Sequence, residues 1–186
     1  MPVDALVVAG DRAASLALER ARKAGEAFPV VGLAGGDLWK TLGGREGNLA
    51  TGATTGFPID LGEVLVDGKL HFFVAHVVAH DRLWGRTFVA MNAQWRDEWN
   101  LGPKAHPNDG IIDTYRAELA IADRLKVWRR LPTGSHLPHP GIKPERSRSV
   151  ATEFSRPITV EIDGQAIGAA RHLAVRVEPD ALQVYV

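Results

Sequence analysis

Cysteine is absent from the 186 residues. Its absence excludes a disulfide framework, a thiolate nucleophile and a cysteine-ligated zinc site, and it suits a reducing compartment. An excess of charge of either sign is absent too, because 22 Lys and Arg stand against 22 Asp and Glu. Whole-chain electrostatics therefore give no non-specific attraction to nucleic acid, and no nucleic-acid partner is expected. No apolar run approaches the roughly 18 residues of a membrane-spanning helix. The start, MPVDALVVAGDR, has neither the basic opening nor the long apolar stretch of a signal peptide. The expectation is a cytoplasmic protein without integral membrane association. At 45% hydrophobic and 24% charged residues the composition is that of a globular chain, so disorder and collagen-like structure are excluded and one compact domain, with at most a small appendage, is expected.

Two periodicities divide what is present. Val3 to Val8 is a short apolar run ended by Gly10 and suits a buried strand. Asp11 is placed to cap a following helix, in which Ala14, Ala17, Leu18, Ala21 and Ala24 recur at helical spacing up to Gly25. A second apolar run, Val30 to Leu33, leads into Gly35-Gly36-Asp37. The order is one βαβ unit, followed by a linker over Gly43 to Gly56. From Phe57 onward the period becomes two. Asp67-Gly68 separates Glu63–Val66 from Lys69–Val78 as a hairpin. Ile158, Val160 and Ile162 alternate with polar residues before Asp163-Gly164, and Leu173, Val175 and Val177 do the same before a turn at Pro179-Asp180. The predicted fold is α+β and mostly β: an antiparallel β-sandwich over residues 57–186, preceded by a short α/β segment over residues 1–56.

Three segments, in order, resemble the diacylglycerol kinase catalytic-domain family, whose superfamily includes sphingosine kinases and NAD kinases. Gly35-Gly36-Asp37 is similar to the start of the family's GGDGT nucleotide loop. Pro103 to Asp113, reading PKAHPNDGIID, is similar to its P-x-A-x-x-x-DG-x-x-D stretch, and Ile162-Asp163-Gly164-Gln165 is similar to its DGE. The ending Val175–Val184 is similar to the family's last strands. The resemblance implies an α/β nucleotide domain followed by a sandwich, with the site between them. It further implies Gly35 and Gly36 as nucleotide-binding residues for ATP, Asp37 beside the metal and phosphate, Asp109 as a Mg²⁺ ligand, and Gln165 at the position of the acidic base. Three departures bear on activity. The family's Gly-Thr is Leu38-Trp39 here, the α/β segment has about half the family's length, and Gln165 is an amide that cannot take a proton near neutral pH.

Each candidate also has a plainer role. Asp109 sits in an Asn-Asp-Gly sequence where Asp commonly bonds its own backbone, and Asp113 falls at a strand end on the same loop. His76 and His80 share a face at a spacing of four, and a histidine-dependent metal hydrolase is one alternative. His136, in the proline-framed Ser135–Pro140, either packs rigidly or lines the ligand cleft. Between Arg124 and Arg148 seven cations face the single acid Glu145. As a strand, Leu125–Arg129 would project Lys126, Trp128 and Arg130 together, either toward an anionic or lipid-like ligand or as a solvated edge. Of Trp84, Trp95 and Trp99, two suit the core and Trp99 suits a cover for the Asp109 loop. The reading is a shortened lipid-kinase-like protein with a binding or assembly role, a homo-oligomer whose partner is a lipid or anionic small molecule. The alternative is an active ATP-dependent kinase whose nucleotide site a partner subunit completes.

Overall fold

The computed structural model describes all residues, Met1–Val186. Its strands are β1 (Leu6–Val8), β2 (Val31–Leu33), β3 (Gly56–Val66), β4 (Lys69–Phe73), β5 (His76–His80), β6 (Arg86–Met91), β7 (Ile112–Glu118), β8 (Ile142–Ser147), β9 (Ser149–Ile162) and β10 (Gln165–Tyr185). The helices are α1 (Asp11–Ala24), α2 (Asp37–Thr41), α3 (Asn48–Thr51) and α4 (Ile121–Arg130). The protein is mostly β, with a mixed sheet ordered β1-β2-β10-β9-β5-β6-β7-β8 and with β3 and β4 added at β10. Pairing is parallel only for β1 with β2 and β2 with β10. Hydrogen bonding is thus continuous from the N-terminal βαβ into the antiparallel part.

Strand alternation divides the apolar residues among three clusters. On β5 and β6, Val77, Ala79, Phe88 and Ala90 face the largest core, together with Phe154, Val160 and Leu173 from β9 and β10. Val78, Val89 and Met91 point the other way, toward Val127 of α4 and Leu131 just beyond it. Burial on both faces explains why β5 and β6 read as continuous apolar runs. Ala14 and Leu18 of α1 bury against β2, Phe72 and the end of β10 in the third cluster. Gly25, at φ 70°, closes α1, and its amide and that of Glu26 return to Arg22 and Ala21.

Both Asp-Gly pairs form the expected tight turns, with positive φ at Asp67, Gly68, Asp163 and Gly164. Several expectations need correction. The first strand is short and lies at the sheet edge, with Leu6 and Val7 exposed, so its apolar run reflects an uncovered edge. The Gly43–Gly56 stretch contains α3 and the first residue of β3. Lys69–Val78 is two strands, because the chain breaks at Val74-Ala75. Pro179-Asp180 makes no turn: β10 runs through it with a bulge between Glu178 and Leu182 and with Asp180 at φ 53°. Asp60 anchors that bulge, accepting the amides of Asp180 at 3.0 Å and Gly110 at 2.7 Å. Leu125–Arg129 lies in helix α4, so Lys126 and Arg130 share one face and Trp128 lies on another.

Candidate functional site

Two groups of side chains meet on one side of β5. The first joins α1, α2 and the β9–β10 turn. Asp11, expected to cap its own helix, makes no bond there. Its carboxylate instead accepts the amides of Asp37 at 2.5 Å and Leu38 at 3.2 Å, across 26 residues of chain. Gly36, at φ 101°, permits this approach, since a Cβ there would lie 2.6 Å from Asp11 Oδ1. Asp37 Oδ1 accepts the amide of Asp97 at 2.7 Å, and Asp37 Oδ2 accepts His76 Nε2 at 2.9 Å. Asp163, buried at the hairpin turn, accepts the amides of Val74, Ala75 and His76 at 3.0–3.1 Å. It thereby ties down the break between β4 and β5.

Burial dominates the titration of these carboxyls. It pushes Asp11 up to about 7, helped by the charge of Asp163, against the opposing pull of the Asp37 amide. Asp163 is raised for the same reason. Asp37 goes the other way. Burial alone would raise it, but the His76 hydrogen bond, the charge of that ring and the Asp97 amide hold it below the ordinary carboxylate range.

The second group lies further along β5. His80 Nε2 and Arg96 Nη2 reach the two oxygens of Glu161 at 3.2 and 2.5 Å. The His80 ring stacks on Trp84 at 3.8 Å and 9°. Trp99 meets Trp84 and Trp128 edge-on at 6.4 and 6.5 Å. This aromatic row roofs a cavity of about 600 Å³ between α4 and the β6–β7 face, and fourteen of the seventeen lining residues are hydrophobic. His136 belongs to the lining and is 3% exposed. Its Nδ1 has no hydrogen-bond partner, and burial lowers the ring's affinity for a proton.

Residues 62–186 match the family model of the YegS C-terminal NAD kinase beta sandwich-like domain. The chain belongs to that family. Among solved structures, three from Bacillus anthracis str. Sterne share the fold. One is of a provisionally named diacylglycerol kinase, with a TM-score of 0.69, 12% identity, 97% of this chain and 77% of that one covered. Another of the same description gives a TM-score of 0.59, 14% identity, and 84% and 68% coverage. The third, of a diacylglycerol kinase, gives 0.55, 13%, 84% and 66%. No curated protein matches the chain.

The site residues implied by the resemblance to lipid kinases do not form one constellation. Asp37 lies in the first group, and Gly35 and Gly36 turn the chain beside it. Gln165 accepts a hydrogen bond from Arg12 Nε at 2.8 Å. The Gly35–Gly36 turn does not fit a phosphate as folded, since the Asp37 and Leu38 amides are bonded to a carboxylate. Trp39, expected to obstruct that turn, packs against the apolar cluster under α1 and lies flat over Gly44. Asp109 bonds Arg146 Nη2 at 2.5 Å through one oxygen and the Ile111 amide at 3.1 Å through the other. Arg146 also pairs with Asp113 at 3.1 Å. With both oxygens engaged and a guanidinium in front, Asp109 does not fit a Mg²⁺ ion in this conformation.

His76 and His80 do share a face, but each bonds its own carboxylate, and no three His, Asp or Glu side chains converge in metal-ligand geometry. Trp128 and His136 line the cavity, while Arg130 does not. Every lining residue falls within 83–142, so the cavity belongs to the sandwich and not to a cleft with residues 1–56. Trp99 stands in the aromatic row, not over the Asp109 loop. Asp11, Arg96, Glu161 and Asp163 join the site in the structure beyond the residues expected from the sequence. The spacing of four between His76 and His80 is visible in the sequence, whereas the pairing of β5 with β9, which brings Glu161 and the turn residue Asp163 alongside them, is not.

Proposed function

We propose that this chain is a lipid-kinase-like domain that binds a ligand with a long aliphatic chain in the cavity beneath α4, and that it does not transfer phosphate from ATP bound at Gly35–Gly36. The cavity carries this reading. Its size is within the usual range for small-molecule sites, and its wall is almost wholly apolar with His136 as a buried polar group. Burying an alkyl chain there releases water from Trp84, Trp99 and Leu125, at roughly 25 cal/mol per Å² of apolar surface. The occupation of the Asp37 and Leu38 amides by Asp11 argues against a nucleotide site that a partner subunit would complete.

Three tryptophans beside the cavity supply the test. A bromine-tipped decanol should quench their fluorescence saturably at one equivalent, and Val89→Trp, which fills the cavity, should abolish the effect. Quenching that rises linearly to the solubility limit would reject the reading.

An assembly role has its own support in β1, which ends the sheet with Leu6 and Val7 exposed. Pairing of this edge with a second copy would cover it. Light scattering should then give a dimer mass, lost in Val7→Pro; a monomer mass at high concentration would contradict it.

A further inference from the structure

Helix α4 is apolar on two sides. Val127, with Leu131 just past its end, faces the core, and the helical spacing of Ile121, Leu125 and Trp128 sets a second apolar stripe along a different face. That stripe is open: Ile121 is 76%, Leu125 49% and Trp128 56% exposed. A fourth apolar residue, Leu83, 67% exposed, extends it from the β5–β6 loop. Asp81 holds this loop by accepting the amides of Leu83, Gly85 and Arg86 at 2.8–3.1 Å. Arg124 fastens the loop to α4, donating to the carbonyls of Leu119 at 2.8 Å and Leu83 at 2.9 Å. The four apolar residues therefore form one built surface and also line the cavity, so surface and cavity are continuous.

The exposed charges next to the stripe in sequence are positive, Arg82 before Leu83 and Lys126, Arg129 and Arg130 around Trp128. Arg82, adjacent to Leu83, and Arg129, adjacent to Trp128, are exposed. The nearby acids are engaged, Asp123 with Lys126 at 3.0 Å and Asp81 with its own loop. The surface thus offers exposed Leu, Ile and Trp next to exposed Arg82 and Arg129. An anionic bilayer supplies both halves, an apolar interior and a phosphate layer. We infer that Leu83, Ile121, Leu125 and Trp128 dock the protein on an anionic lipid surface, with Arg82 and Arg129 at the phosphate level. Tryptophan and arginine favour that depth, and each basic residue near such a surface contributes about 1 kcal/mol. The inference deepens the ligand-binding reading, because a cavity that opens onto the bilayer takes its ligand from there.

Vesicle co-sedimentation tests it, with phosphatidylcholine alone and with phosphatidylglycerol added, at low and high salt. The full chain should bind the phosphatidylglycerol vesicles, at least about tenfold more weakly without the anionic lipid, and release at high salt. Arg82→Glu with Arg129→Glu should abolish vesicle binding and preserve quenching by bromodecanol in solution, since neither residue lines the cavity. Ile121→Ser should weaken vesicle binding about tenfold or more. No binding by the parent, or binding indifferent to anionic lipid, would overturn the docking surface while leaving the cavity reading to its own test. Vesicle binding with no bromodecanol quenching would sustain the docking surface and reject the cavity. Self-association that Ile121→Ser dissolves, with no vesicle binding, would assign the stripe to a second copy of the chain and overturn the proposal.

Discussion

Asp11 begins one helix and caps another: its carboxylate accepts the backbone amides of Asp37 and Leu38 at 2.5 and 3.2 Å. A phosphate group bound at the glycine turn would need those two donors and would meet the carboxylates of Asp11 and Asp37. Millimolar Mg-ATP should therefore raise the melting temperature of the chain by less than about 1 °C, because stabilisation follows RT ln(1 + [L]/Kd). A shift of several degrees, absent with sulfate at matched ionic strength, would contradict the account of this turn.

Stability should depend on pH through the same residue. Asp11 is raised from 3.8 to about 7 in the fold, so between these values the native chain holds a proton that the unfolded chain releases. The contribution of Asp11 to stability is then full below about pH 4 and is lost as pH rises toward 7, by an amount on the order of 3 kcal/mol. Asp163, also raised, adds to the fall, whereas Asp37, held low, costs stability only as pH drops through its depressed value. Urea unfolding of Asp11→Asn should show a flatter profile from pH 4 to 7 than the parent. A parent profile that rises over this range would be the wrong sign.

Asp163 is the sole acceptor for three amides at the β4–β5 break. Removing it leaves buried donors unsatisfied, each at a cost of about 1–3 kcal/mol. Asp163→Ala should lower unfolding stability by on the order of 4 kcal/mol, and Asp163→Asn, which keeps one acceptor oxygen, by clearly less. Equal, small losses in both variants would show that water replaces the carboxylate.

Asp109 gives the opposite expectation. Its partner Arg146 is nearly half exposed, and pairs of that kind contribute about 0.5 kcal/mol. Asp109→Asn should cost about that much in urea unfolding, and EDTA should change neither parent nor variant. An EDTA-sensitive parent and an insensitive variant would return a metal ion to this loop.

Local chemistry was readable along the chain and distant contacts were not. Asp67-Gly68 and Asp163-Gly164 state their turns in two residues, and the alternation of Ile158, Val160 and Ile162 states which face is buried. The amphipathic run of α1 is equally plain. In α4, the alternating Lys126, Trp128 and Arg130 imitated a strand, although Ile121, Leu125 and Trp128 fit a helical stripe as well. Pro179-Asp180 has the composition of a turn, and only the hold of Asp60 on the Asp180 amide makes it a bulge. Asp11 looked like a local cap because its true partners lie 26 and 27 residues away. Nor could the cavity be foreseen, since its wall combines β6, β7, α4 and the His136 loop across more than fifty residues.

The cavity is the centre of the account, and anomalous diffraction from crystals soaked with bromine-tipped decanol tests it most directly. One strong bromine peak is expected between Trp84, Trp99 and Trp128. A cavity left empty, with bromine found only at other surfaces such as the β1 edge, would contradict it.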